Sequence, residues 1–209
     1  VLATPASLDA ACALGPQQLL AQHPGGAYTT ACVRGHCVLD WHRHVARLVR
    51  NVRVLVEEGA PGCFLINHDF GVERFLSIIA HVRGKFPALW MGVNFLAVTG
   101  KDAFPVLGQL KRDGVAVDGY WADDARMDER RSADDQVEAK DIAAALTASG
   151  WSGLYTGGTC FKKQREVAPE HYEYAARLAT GFMDPVCTSG VATGKAVDMS
   201  KITTFRRAI

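Results

Sequence analysis

Five short apolar runs recur along the chain, each ending in polar residues and separated from the next by a helix-like stretch: FLINHDF (64–70), LWMGVNFL (89–96), VDGYWADD (117–124), SGLYTGGT (152–159) and MDPVCTSG (183–190). Their spacing lies near the ~30 residues that a strand plus its crossover helix needs. Strands of a parallel sheet point the same way, so the loops leaving their carboxyl ends gather on one face, where polar side chains can reach one ligand. The expected fold is α/β: a (β/α) TIM-barrel-like parallel sheet.

The intervening segments have the matching helical period. Val45, Leu48, Val49, Val52, Leu55 and Val56 recur at three- and four-residue spacing, which predicts a long amphipathic helix over 44–58 closed by Gly59. Further helices are expected at about 71–84, 101–112, 134–148, 168–180 and 199–207. Before them, Ala27 to Val33 reads as a strand, Arg34-Gly35 as a turn, and Cys37 to Trp41 as a strand pairing back in a hairpin. The first 25 or so residues, with HPGG as a break, read as an extension. The expected division is therefore an N-terminal extension over 1–43 and a barrel domain over 44–209.

Composition bounds the function. With 209 residues, 48% hydrophobic and a formal charge of +1, the chain has a core but no basic surplus for nucleic acid. No apolar stretch reaches the 18 or so residues of a membrane span, and no secretory signal is read at the start. The six cysteines include no CxxC pair and are expected reduced and structural. Cys32, Cys37, His42 and His44 fit no common zinc spacing.

Chemistry-bearing residues sit at the ends of the apolar runs. Asn67, Asp69, Asn94 and Asp123 offer oxygen atoms for a Mg2+ ion or for the hydroxyls of a sugar-like ligand, with Asp69 and Asp123 as the metal-ligating and catalytic carboxylates. The competing reading is that they cap strands and helices. Strand parity puts Asn67 with Leu65, and Asn94 with Trp90 and Gly92 on the side away from the helices. In YTGGTCFKKQ, the Gly157-Gly158 pair, Thr159 and Lys162 make a candidate phosphate grip, and CTSGVATGK repeats that chemistry with Ser189 and Thr193. The alternative is an ordinary turn with solvated lysines. DDARMDERRSADDQVEAK, dense in both signs of charge, is expected to be a solvated loop running into a helix.

Three segments carry a likeness to a known family. VLVEEGAPGCFLINHDF, LWMGVNFLAVTGKDA and CTSGVATGKAVDMSKI resemble, in order, the "EGGVDGVIVEN", "LPLGVNVLRNDA" and "VTGAATGEPPDLEDL" segments of the BtpA/SgcQ family of (β/α)-barrel proteins, over about residues 44–209. Ile66 replaces that family's glutamate, and only about six of eight barrel units are present. Separately, residues 26–55 resemble the opening of class IV pyridoxal-phosphate aminotransferases, which implies a cofactor-phosphate role for Arg47. The expected function is a barrel protein binding a small phosphorylated or polyhydroxylated metabolite. The alternatives are an aminotransferase fragment using pyridoxal phosphate and a non-catalytic photosystem-assembly type of accessory factor. A homo-oligomer is expected, in the cytoplasm or, under the accessory reading, in a plastid at the thylakoid surface.

Overall fold

A computed structural model describes residues 29–33, 38–68, 71–162, 164–192 and 194–209. Strands and helices alternate through them: β1 (Thr29–Val33), α1 (Val38–Glu57), β2 (Gly62–Asn67), α2 (Val72–Lys85), β3 (Trp90–Asn94), α3 (Gly100–Arg112), β4 (Gly119–Ala122), α4 (Val137–Ser149), β5 (Leu154–Gly158), α5 (Tyr172–Ala179), β6 (Val186–Cys187) and α6 (Met199–Ala208). Single 3-10 turns precede α4 and α5, at Ala133–Asp135 and Pro169–His171. The expected α/β parallel fold is the one observed.

The chain divides into two compact units. The first comprises the described residues up to Leu96 together with Gly114–Asp118, and the second Ala97–Asp113 with Gly119–Ile209. This differs from the division expected at residue 43, and α1 runs uninterrupted across that point. Within each unit the strands follow chain order, β1-β2-β3 and β4-β5-β6. Every recorded pairing is parallel, β1 with β2, β2 with β3, β4 with β5 and β5 with β6. The hairpin expected at Cys37 to Trp41 does not form. Val38 to Trp41 begin α1 instead, and β1 pairs in parallel with β2. A strand that leads into a helix and then into a parallel neighbour is a βαβ unit.

In the first unit the apolar stripes explain the layers. α1 buries Val45, Leu48, Val49 and Val52, while α2 buries Phe75, Ile78, Ile79 and Val82. The odd positions of the strands, Cys63, Leu65, Met91, Val93 and Phe95, are all buried. Phe75 of α2 meets Phe95 edge to face at 5.8 Å, so the odd face is the one the helices cover. Gly59 ends α1 with φ of +77°, a conformation that costs a glycine least. Arg83 then ties the lower edge together. Its guanidinium donates to the carbonyls of Leu89, Pro87 and Ala116 and, at 2.5 Å, to Asp118 Oδ2. Asp118 Oδ2 also accepts from Met91 N, and Asp118 N donates to Met91 O.

The second unit has an aromatic layer and a satellite core. Tyr120 and Tyr155 are paired across β4 and β5 and stack at 5.9 Å, with Phe104 of α3 edge-on to both. Behind β6, Val167, Ala175, Ala176 and Phe205 pack with Cys160, flanked by Tyr172 and Val186. This cluster brings α5 and α6 up to the ends of β5 and β6. No helix among the described residues is long and apolar enough to cross a membrane.

Candidate functional site

Two loops of the second unit leave adjacent strand ends. Gly158 and Cys187 are register partners, and Thr159 N extends the ladder by one rung to Cys187 O at 2.9 Å. The β5–α5 and β6–α6 loops therefore start side by side and stay laced. Lys162 N donates to Ser189 Oγ at 2.7 Å, and Thr188 Oγ1 donates to Cys160 O at 3.2 Å. Between the loops lies a pocket of about 410 Å³ whose wall includes Lys162, Arg165, Tyr172, Ser189 and Lys201. That volume suits a small metabolite.

Lys201 is the least ordinary residue of the wall. It is 8% exposed, and its Nζ donates to the carbonyl oxygens of Cys160 and Ser189, at 2.5 and 2.9 Å. The same nitrogen stands 5.0 Å from the centroid of the Tyr172 ring. Burial holds the Lys201 amine below its usual pKa, with the neighbouring Cys160 opposing that shift. Cys160 itself adopts φ of +49°, uncommon for a residue with a side chain, and so turns its carbonyl onto Lys201.

The remaining charges are partly committed. Asp198 caps α6, its Oδ1 accepting from Ser200 N at 2.8 Å, and that backbone hydrogen bond lowers its carboxyl pKa. Arg165 is anchored by Glu129, whose nearly buried carboxylate accepts from Nη2 through both oxygens. The Cys187 thiol is pushed up to about 11 by burial, with Asp123 adding to the shift and Lys162 opposing it, so both charges act on that thiol.

The expected site residues separate into distinct places. Lys162 and Ser189 stand together in the pocket wall, and Asp123 is near enough to Lys162's neighbourhood to act on Cys187. Thr159 is buried at the strand end and is not in the wall. Asn67 and Asn94 do not share a face: Leu65 pairs with Val93 and Ile66 with Asn94, so Asn67 follows the helix-covered face and Asn94 the opposite one. Asn67 is a structural tie, its Oδ1 accepting from Leu96 N at 2.8 Å. Asp69 and Thr193 lie outside the described residues. Arg47 is exposed on α1. Among the described residues no three His, Cys, Asp or Glu side chains stand close enough to hold a metal ion. Asp69, expected to hold Mg2+ together with Asp123, is not one of those residues.

The glycines expected to grip phosphate have another task. A Cβ on Gly157 would meet Met183 Sδ at 2.6 Å, and one on Gly158 would meet Asp123 O at 2.3 Å. Both are there for close packing. Lys201, Arg165 and Tyr172 were not expected in the site. Lys201 had a signal, since it stands four residues before Phe205 on the buried stripe of α6.

The fold is similar to the crystal structure of the 3,6-anhydro-D-galactonate cycloisomerase from Zobellia galactanivorans, at 17% identity and a TM-score of 0.52, covering 86% of this chain and 43% of that one. It is also similar to a mandelate racemase/muconate lactonizing protein from Herpetosiphon aurantiacus, at 10% identity and a TM-score of 0.50, covering 86% and 44%. The chain spans less than half the length of these proteins. No family model and no curated protein is matched by the sequence. At such identities the likeness carries the fold alone. It corrects the resemblances drawn from short segments: the structural neighbours are a cycloisomerase and a mandelate racemase/muconate lactonizing protein, and neither the BtpA/SgcQ family nor the class IV aminotransferases is supported. The aminotransferase-like start, with Arg47 as a cofactor ligand, was carried by a pattern that the structure uses for a β/α unit.

Proposed function

We propose that the second unit carries the site of a barrel-type metabolic enzyme that binds a small anionic metabolite, phosphorylated or polyhydroxylated, between the β5–α5 and β6–α6 loops. One observation carries this reading. The pocket wall brings Lys162, Arg165 and Lys201 together with the hydroxyl of Ser189, alongside the carboxylates of Glu166 and Asp198. Cationic and hydroxyl donors side by side in a partly enclosed pocket can take an anion's oxygens, and the carboxyl ends of parallel strands are where barrel enzymes hold their substrates.

Lys162 supplies a point charge on a flexible stem, Arg165 a planar fork held in place by Glu129, and Ser189 a hydroxyl for the ligand's oxygens. The structural neighbour from Zobellia galactanivorans is a cycloisomerase of a galactonate, a sugar acid that is both anionic and polyhydroxylated, which is the ligand class this wall favours. The test is a thermal-shift screen of the whole chain against sugar phosphates, sugar acids and inorganic phosphate, each with and without magnesium. A ligand at a hundred times its Kd stabilises the folded state by about 2.7 kcal/mol. A melting shift with an anionic compound and none with its neutral parent sugar is expected. Equal shifts from both, or from neither, would contradict the reading.

A further inference from the structure

We propose that Lys201 is a positioning residue: its buried ammonium ties the β5–α5 loop to the β6–α6 loop and thereby fixes where Lys162 enters the pocket. This role stands on the loop geometry and rests on the anion reading above only for its effect on binding. An ammonium has three N–H donors. The carbonyls of Cys160 and Ser189 accept two of them, at 2.5 and 2.9 Å, and the face of the Tyr172 ring, 5.0 Å away, takes the third. Lys201 therefore has no donor left for a ligand, and its effect on binding runs through the residues it holds. Phe205, buried one turn later on α6 and packed at 6.1 Å from the Tyr172 ring, keeps it in place.

The two carbonyls that Lys201 holds bear directly on Lys162. Cys160 lies two residues before it, and the Cys160 carbonyl also accepts from Thr188 Oγ1 at 3.2 Å, so that one oxygen joins the two loops twice. A φ of +49° at Cys160 turns this carbonyl onto Lys201. Ser189, whose carbonyl takes the second donor, accepts the Lys162 N–H on its hydroxyl at 2.7 Å. The 160–162 segment is thus gripped at its first carbonyl and at its last N–H, and Lys201 acts on both grips. Hydrogen bonds from a charged donor are roughly twice as strong as neutral ones, so the ammonium is the stronger tie between the loops. Removing it frees the backbone that carries Lys162 and leaves the Lys162 side chain itself unaltered.

Hydrogen exchange and phosphate titration of the whole chain test this together, at a temperature where every variant is folded. In the free protein, Lys201→Met is expected to speed exchange at the Lys162 amide by about tenfold or more, read by NMR, while the Tyr155 amide, held by Asp184, keeps its rate. Lys201→Arg, which keeps a cation and its donors, should restore most of that protection. With inorganic phosphate as the probe, Lys201→Met is expected to weaken binding about tenfold in the wild-type chain and only about twofold in the Lys162→Ala background, where the side chain it places is already gone. Unchanged exchange at Lys162 would overturn the proposal. An equal loss of affinity in both backgrounds would overturn it too, by making Lys201 an independent contact, as would a lower melting temperature with wild-type affinity, which leaves a structural tie alone. Faster Lys162 exchange in a chain whose wild type takes no phosphate would uphold the positioning role and contradict the anion reading.

Discussion

Asn67 and Lys201 show how burial reassigns a polar side chain. Asn67 looks like a ligand because it ends an apolar run, but its Oδ1 holds Leu96 N on the helix-covered side of the sheet. Asn67→Ala is expected to destabilise by about 1 kcal/mol in urea unfolding, because it leaves the partly buried Leu96 N–H without its partner. Lys201 looks like a solvated helix residue and is instead drawn in by Phe205 one turn later. Its folded pKa is depressed, so between that value and the unfolded lysine's ~10.4 the unfolded chain binds more protons than the folded one. Wild-type stability should therefore rise relative to Lys201→Met as pH climbs toward ~10.4, in paired urea titrations. A constant difference would show that the folded and unfolded pKa values of Lys201 coincide. The thiols of Cys63 and Cys187 are pushed up to about 11, chiefly by burial. Both are expected to resist an aromatic disulfide reagent in the native chain at pH 8 and to react once it is unfolded. Parity was readable for Asn94 and for the strand cores; which polar group would find a backbone partner was not, since that depends on loops no periodicity describes.

The long helices were legible as elements, because three- and four-residue apolar spacing survives every tertiary context. Helices expected at about 71–84 and 101–112 are found at Val72–Lys85 and Gly100–Arg112. Starts were harder. α1 begins at Val38, where β-branched and aromatic residues imitate a strand, and β6 keeps only Val186 and Cys187 of an eight-residue run. Asp184 accounts for part of that shortening, since its carboxylate accepts from Tyr155 N and its own N–H donates to Tyr155 O, and the following Pro185 has no N–H to give. The charged loop after β4 also departs from a purely solvated segment. It closes on Gln136, a buried side chain that accepts from Asp128 N and donates to Asp128 O. The Arg83 strap gives the sharpest prediction for an element. Arg83→Met removes every donor that joins α2, the Leu89 carbonyl and Asp118, and should cost about 3 kcal/mol. A loss below about 1 kcal/mol in urea unfolding would show that the strap is idle.

Across the whole chain, repeated strand-helix spacing was enough to fix the fold class, because parallel strands in chain order leave few ways to cover both faces. Short segment likenesses misled over family for the same reason that they were easy to find: glycine-rich strand ends recur in any βα repeat, and here Gly157 and Gly158 serve packing. The candidate site was legible in Lys162 and Ser189 and illegible in Arg165, whose position depends on a buried glutamate 36 residues away. The proposed function stands or falls on whether this pocket takes an anion through Lys162. Calorimetric titration decides it, with the best anionic compound from the melting screen added to wild type, Lys162→Ala and the distant control Lys111→Ala. Loss of a charge-assisted contact worth about 1.5–3 kcal/mol predicts about 10- to 100-fold weaker binding for Lys162→Ala and no change for Lys111→Ala. Equal affinity in all three proteins would contradict it.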